Sequence, residues 1–184
     1  MNRLIRPALT ALTIACAAAS FASVTTDRAM AQQQQGGELK QMALTQKQID
    51  GAIAAQKDME ALTAKMQPNA KPDPKVLAQI EATAKKNGFA STDEYYTVMD
   101  NISLVYGGID PATKKYVGSE AVIKSQIAEV TADKKMSAND KKQALEQLNQ
   151  ALKQPEPAVQ NKGNIDLVVA NFDKLAPVMN EDQQ

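Results

Sequence analysis

The chain has 184 residues with 21 basic and 21 acidic side chains, so its formal net charge is zero, and it contains no histidine and no tryptophan. Its arginines and its single cysteine all lie within the first 28 residues. The rest of the chain therefore cannot form a Ser-His or Cys-His catalytic pair, an imidazole or thiolate metal site, or a bidentate guanidinium clamp. Zero net charge and only 4% aromatic residues also argue against nucleic-acid binding. We accordingly expect a protein that is not an enzyme and that holds no cofactor or metal.

The N-terminus has the three parts of a secretory signal peptide. Two arginines precede a small, alanine-rich apolar run over residues 7–24. Ala29 and Ala31 then form an A-x-A site of the kind that signal peptidase accepts, and hydrophobicity falls at Gln32. The sequence therefore predicts that residues 1–31 are an export signal cleaved between Ala31 and Gln32, and that the protein works in the periplasm or outside the cell.

Cys16 leaves an alternative open. If its thiol were lipidated, the protein would be anchored in the envelope rather than free, although threonine stands three residues earlier, where such signals usually have leucine. An uncleaved transmembrane helix would need about 20 strongly apolar residues, more than this alanine- and serine-rich run provides. Cleavage after Ala31 would leave 153 residues with 18 lysines, 20 acidic side chains and a net charge of about −2, a length that suits one domain.

Beyond the signal, apolar residues recur at helical spacing behind a series of N-caps. Residues 32–44 begin with four glutamines and are expected to be a flexible lead-in. Thr45 and Gln48 form a T-x-x-Q capping box, which starts a first helix predicted to run to about residue 66. Asp73, followed by proline, starts a second helix, and Gly88 supplies its left-handed end.

Four more helices are predicted from the remaining sequence. Their expected N-caps are Ser91, Ser119, Ser137 and Asn164. Two glycines at 107 and 108 end the third helix, and residues 109–118 are the one clearly non-helical stretch of any length. Pro177 is expected to end or kink the last helix.

No stretch alternates at period two for long enough to indicate a strand, so the sequence predicts an all-α fold, a compact bundle of about six amphipathic helices. The predicted domain covers residues 45–179, with possible halves at 45–106 and 119–179 joined by loop 107–118, and residues 180–184 form a polar tail. Because each helix has one apolar stripe, none should be stable alone and all are expected to pack together.

One short motif resembles that of a known family. Residues 44–48 spell LTxxQ, and residues 62–66 spell a second copy in which Met66 replaces the glutamine. Paired LTxxQ motifs resemble those of small, all-helical periplasmic stress chaperones, which would imply a concave surface that cradles unfolded proteins. The resemblance covers one intact five-residue motif together with compartment, size and fold class. A threonine-capped helix with glutamine three residues on gives the same pattern, so simple capping is the other explanation.

The layout of residues 45–106 is also similar to that of uncharacterised small secreted bacterial domains. The shared features are a long first helix, a second helix that ends in Gly88-Phe89, and a serine-capped helix that opens on Tyr95-Tyr96. This resemblance implies no activity.

A cluster of tyrosines marks the predicted binding surface. Tyr95, Tyr96, Tyr106 and Tyr116 lie around the third helix and the loop that follows it, and Asp110 lies in that loop. The functional interpretation is an aromatic-lined pocket for a small ligand or peptide, since function tends to lie on loops held by rigid scaffolds. The structural interpretation is that half-buried tyrosines anchor the loop on the core.

Two metal hypotheses remain as weaker matches. Asp100, Asn101 and Asp110 carry oxygen ligands of the kind that calcium needs, but their spacing is not that of an EF-hand, and a helix end with a turn explains them. Met59 and Met66 lie seven residues apart on one helical face, as a Cu(I) site would need, but such methionines are usually core residues.

Together these features predict an exported, non-catalytic binding or envelope-interaction module. A periplasmic stress chaperone and a small-ligand binder are the alternatives. The expected partner is an envelope protein or a small ligand rather than a nucleic acid, and no transmembrane segment is predicted after residue 31.

Overall fold

A computed structural model describes residues 39–64, 73–154 and 156–180. The predicted signal peptide, with Cys16, Ala29 and Ala31, lies outside the described residues, and so do Gln32 and residues 181–184 of the predicted tail. The part of the chain that is described is all-α, as predicted, with seven helices and two strands of two residues each. None of these helices is long and apolar enough to cross a membrane.

The elements follow one another in this order: α1 (Gln46–Thr63), α2 (Pro74–Lys86), α3 (Thr92–Tyr106), β1 (Ile109–Asp110), β2 (Lys115–Tyr116), α4 (Ser119–Ala132), α5 (Ala138–Ala151), α6 (Gly163–Ala170) and α7 (Phe172–Asn180). The two strands are antiparallel, with Ile109 opposite Tyr116. The last helix of the prediction is two helices in the structure, because the chain turns at Asn171; Pro177 lies inside α7.

Four of the predicted caps are confirmed. The Thr45 hydroxyl accepts a hydrogen bond from the backbone N–H of Gln48, and the Gln48 side chain accepts one from the Thr45 N–H at 3.0 Å, which completes the capping box. Asp73, Ser91 and Ser137 each accept a backbone N–H at the start of α2, α3 and α5. Local sequence therefore sets where these four helices begin.

Two predicted caps are wrong. Helix α4 is preceded by Gly118, whose φ of 89° favours glycine, and Ser119 makes no cap hydrogen bond. Helix α6 begins at Gly163 without a side-chain cap, because the Asn164 amide is buried and bonded to a distant part of the backbone.

The core lies between α1, α2, α3, α6 and α7. Helix α1 packs on α2, α3 and α7, and α6 packs on α3. The largest core side chains without exposed surface are Ile49, Val98, Ile102, Val105, Val168 and Leu175. Residues 163–180, which the sequence groups with the second half, thus contribute to one core with α1 and α3.

Residues 39–44, here called the N-terminal segment, also belong to this core. They were expected to be part of a flexible lead-in, and that prediction is wrong for these six residues. Leu39, Met42 and Leu44 pack against the core. The side chains of Asn101 and Asn164 hydrogen-bond the backbone of the segment. Composition could not predict this arrangement, because the hydrogen-bonding partners lie 59 to 122 residues away in the sequence.

Candidate functional site

The four tyrosines of the predicted surface form two groups at opposite ends of α3. Tyr95 is buried, its ring lies edge-on to Phe89 at 5.3 Å, and its hydroxyl donates to the Gln56 side chain at 3.0 Å. Tyr96 packs beside it and is 40% exposed. Tyr106 is eleven residues further along the helix, which corresponds to about 16 Å at 1.5 Å per residue. The sequence cluster is therefore not one spatial cluster.

Tyr106 and Tyr116 hold the loop against the core. The Tyr106 ring is stacked on Phe172, with 4.8 Å between centroids and 12° between planes. Tyr116 covers Gly108 so closely that a Cβ at position 108 would lie 2.5 Å from the ring. Burial raises the pKa of both tyrosines, so their hydroxyls stay protonated. This arrangement matches the anchoring role more closely than it matches an open pocket.

Asp110 closes the turn of the β-hairpin. Its carboxylate accepts hydrogen bonds from the Thr113 N–H at 2.7 Å and the Thr113 hydroxyl at 2.9 Å, and these bonds lower its pKa. Lys114 follows with a φ of 54°, and its ammonium contacts the Asp173 carboxylate at 2.7 Å. The polar groups of the turn are thus used by the turn itself.

Glu156 lies between the loop and the start of α4. Its carboxylate would be 3.7 Å from a Cβ built at Gly107. Loss of solvent raises the pKa of Glu156, and a hydrogen bond with Ser119 partly offsets that effect. The sequence has no histidine, and no cysteine after residue 28, that could pair with this carboxyl group for nucleophilic catalysis.

Of the residues considered as metal ligands, Asn101 and Met59 have structural roles in the interior. Asn101 is 1% exposed and its amide is bonded inside the protein. Burial raises the pKa of Asp100, which disfavours the charged form that a cation needs. Met59 is a core residue, and Met66 lies outside the described residues. In the described ranges, no group of three or more His, Cys, Asp or Glu is placed to hold a metal ion.

The α4–α5 hairpin (residues 119–151) is the part of the molecule with the least burial. Helix α5 has no buried side chain, and α4 has only Val122. The apolar residues along their seam are half-buried: Ile123, Ile127, Val130, Ala144, Leu145 and Leu148. The two helices pack mainly on each other, and α4 also contacts β1. The hairpin therefore lies largely outside the core.

One face of α5 lines an open groove of about 620 Å³. Its lining residues are Ala138, Lys141, Lys142, Leu145, Glu146, Asn149, Gln150 and Lys153. Lys141 is tied to the turn between the helices, where it donates to the Asp133 carbonyl at 2.6 Å. Lys142 and Lys153 make no ion pair within the described part of the chain. The lining is mostly polar and comes from a single helix, so the groove does not enclose a small ligand as a ligand pocket does.

The LTxxQ residues have structural roles at the two ends of α1. Thr45 and Gln48 form the capping box, and Gln48 also donates to Glu94 at 3.3 Å. Thr63, from the second copy, is the last residue of α1, and its hydroxyl donates to the Glu60 carbonyl. In comparisons with known proteins, no family model, no curated protein and no solved structure matches this chain.

Proposed function

We propose that this protein is an exported, non-catalytic interaction module of the cell envelope, and that its α4–α5 hairpin contacts a partner protein. The observation that carries the proposal is the incomplete burial of the seam in this hairpin. A helix at the surface of a domain normally buries one apolar stripe, whereas α5 has no buried residue. A partner that covers the seam would supply the missing burial, at roughly 25 cal/mol per Å² of apolar surface.

The export part of the proposal is supported by the N-terminal sequence. Arg3 and Arg6, the apolar run over residues 7–24 and the A-x-A site at Ala29 and Ala31 occur in the order that a cleaved signal requires. The non-catalytic part is supported by a chain that has no histidine, cysteine or arginine after residue 28.

The chaperone and small-ligand alternatives have less support. Of the described residues, the large apolar side chains that are exposed are Leu77, Tyr96 and Val117. These three lie on α2, on α3 and in the chain before α4, and three side chains are too few for the broad apolar surface that a cradle for unfolded proteins needs. The tyrosines lie in two groups at opposite ends of α3, an arrangement that gives a single aromatic pocket less support than anchoring of the loop.

Site-specific photo-crosslinking in producing cells tests the hairpin contact. A photoreactive amino acid is placed at Gln150, which is exposed and lines the α5 groove, and at the matched exposed position Gln79 on α2. We expect a discrete adduct of constant mass from Gln150 and none from Gln79. Equal labelling from both positions, or no adduct from either, would contradict a contact through the hairpin.

The export step has its own test. Mass spectrometry of the protein recovered from the cell envelope or the medium should find a first residue of Gln32 and a chain of 153 residues. A chain that retains Met1 would refute cleavage, and an acylated Cys16 at the new N-terminus would replace a free protein with an anchored one.

A further inference from the structure

Three asparagines are buried in the protein interior, away from the proposed hairpin contact. Asn101, Asn164 and Asn171 are 1%, 3% and 4% exposed, and they are the buried polar side chains of the described residues. Burying an amide costs free energy unless its donor and acceptor are both paired. Among the described residues no buried side-chain polar atom lacks a partner. The hydrogen-bond partners of these asparagine side chains lie at residues 40–46 or, for Asn101 and Asn171, four residues earlier in the chain.

Asn101 and Asn164 contact the backbone of the N-terminal segment in the same pattern. The Asn101 amide donates to the Lys40 carbonyl at 2.9 Å and accepts from the Met42 N–H at 3.0 Å. The Asn164 amide makes the same two bonds two residues further along the segment. It donates to the Met42 carbonyl and accepts from the Leu44 N–H, both at 2.8 Å. A neighbouring parallel β-strand would make the same pair of bonds to residues i and i+2. The two amides thus take the place of a sheet edge.

A third amide makes the same pattern on the other side of the segment. The Gln41 side chain donates to the Ala158 carbonyl at 2.9 Å and accepts from the Gln160 N–H at 2.8 Å. Leu39, Met42 and Leu44 meanwhile pack against the core. The segment therefore lies in a groove formed by α3, α6 and residues 158–160, here called the asparagine groove.

Two of the three asparagines are oriented by a bond to the helical turn that precedes them. Asn101 donates its second amide hydrogen to the Thr97 carbonyl at 2.8 Å, one turn earlier in α3. Asn171 makes the same bond to the Leu167 carbonyl at 2.8 Å and pairs with the Gln46 side chain. The Asn101 amide is thus oriented by a bond that does not involve the segment, and such pre-organisation lowers the cost of binding a chain.

We propose that the asparagine groove is a recognition site for an extended peptide of a partner protein, and that the N-terminal segment occupies this site in cis. The occupant defines the ligand: aliphatic side chains at its first, fourth and sixth positions, with glutamine at the third. Its fourth and sixth residues must have a free N–H, so proline is excluded there. Main-chain hydrogen bonds then supply affinity and the aliphatic contacts supply selectivity. This site is separate from the α4–α5 hairpin and does not rest on it.

The covalent connection between the N-terminal segment and α1 determines how tightly a free competing peptide can bind. A segment joined directly to α1 acts as an internal competitor at an effective concentration of roughly millimolar. A free peptide therefore binds the native chain weakly, and it binds more tightly once the contacts of the internal segment are weakened.

Fluorescence anisotropy with a labelled peptide of sequence LKQMALT, which copies residues 39–45, tests the proposal on the full chain. A release variant carries Met42→Ser and Leu44→Ser, which remove two aliphatic contacts. We expect this variant to bind the peptide about tenfold more tightly than the native chain does. Adding Asn164→Ala should then weaken binding about tenfold, because two hydrogen bonds are lost.

Two controls distinguish binding in the groove from nonspecific binding of the peptide. Gln79→Ala in the release variant removes an exposed amide on α2, away from the groove and the hairpin, and it should leave binding unchanged. A peptide with proline in place of the methionine should lose binding. A folded release variant that does not bind, or binding that survives Asn164→Ala, would overturn the proposal.

Two further measurements cover a release variant that folds poorly or self-associates. In the native chain, excess peptide should accelerate hydrogen exchange at the Met42 and Leu44 amides, since the segment is displaced; unchanged exchange would overturn the proposal. If the release variant is unfolded, the peptide should restore its helical circular dichroism, and failure to do so would count against the groove. Dimers of the release variant in sedimentation experiments that excess peptide dissociates would show that a second copy fills the groove, which would refute a partner peptide.

Discussion

The core and the α4–α5 hairpin are built from similar amphipathic helices, yet they bury their apolar stripes to very different depths. Ile102 and Val105 on α3 have no exposed surface, whereas Leu145 and Leu148 on α5 stay half-buried. Helix α3 packs against α1, α2 and α6, while α5 packs against α4 alone to any substantial extent. An apolar stripe thus indicates which face of a helix is covered, but the number of neighbours determines how completely.

The largest difference should appear when a stripe residue is truncated in each region. Ile102→Ala removes a fully buried side chain and should lower the free energy of unfolding by about 3–4 kcal/mol, through lost burial and a cavity. Leu148→Ala, the matched change on α5, should cost about 1 kcal/mol, because Leu148 is only half-buried. Urea denaturation measures both values. Equal losses would remove the distinction between the two regions.

The buried amides offer the next test. Asn164→Ala leaves the Met42 carbonyl and the Leu44 N–H without partners, so it should cost about 2–3 kcal/mol. Asn149→Ala in the hairpin removes one exposed bond to the Leu145 carbonyl and should change stability by less than about 0.5 kcal/mol. Thermal unfolding of the two variants measures both changes in stability. A neutral Asn164→Ala would mean that the segment is not held by this amide.

Close packing inside the core can be tested at a glycine. A Cβ at Gly51 would lie 2.5 Å from the Asn87 carbonyl oxygen and 3.3 Å from the Phe89 ring. Gly51→Ala should therefore destabilise the protein by about 1–2 kcal/mol. At Gly163 nothing lies within 4 Å of such a Cβ, so Gly163→Ala should be neutral or stabilise by up to about 1 kcal/mol. Calorimetric melting temperatures that shift in the same direction would contradict this packing.

The smallest expected effect concerns acid stability where α2 meets α3. Hydrogen bonds from the Thr92 hydroxyl and N–H, with help from Lys85, lower the pKa of Glu81 from 4.5 to about 2. Because the folded pKa lies below the ordinary value, this contribution is present above pH 4.5 and is lost as the pH falls towards 2. Glu81→Gln should reduce the loss of stability over that range.

A matched control for Glu81 lies in the hairpin. The Lys124 ammonium lowers the pKa of Glu120 on α4, but both side chains are largely exposed. Glu120→Gln should therefore change the acid dependence less than Glu81→Gln does, since solvent screens exposed pairs. Urea midpoints at about pH 5 and about pH 2.5 give the comparison, and a larger effect from Glu120→Gln would contradict it.

Local signals in the sequence were sufficient for much of the fold. The caps at Thr45, Asp73, Ser91 and Ser137 were predicted because a cap depends on residues within one turn. The stripes of α1 and α3 were predicted because burial follows the helical period, and residues such as Ile49 and Ile102 are fully buried.

Interactions between residues that are distant in the sequence could not be predicted from these local signals. Asn164 has the features of a helix cap in the sequence, and only the tertiary fold brings it to the backbone of Met42 and Leu44. The same limit applies to the tyrosines: Tyr95 and Tyr106 are close in the sequence but are separated along α3. The shallow burial of α5 was missed as well, because its stripe resembles the others and gives no count of its neighbours.

Native-state hydrogen exchange of the isolated protein tests the central claim most directly, since it measures the stability of each helix in the same sample. If the α4–α5 hairpin lacks the burial of the core, amides of α5 should be at least about tenfold less protected than amides of α3, through opening that leaves the core intact. Equal protection of α3 and α5, lost together in one global unfolding step, would show that the hairpin is part of the core and would contradict the account.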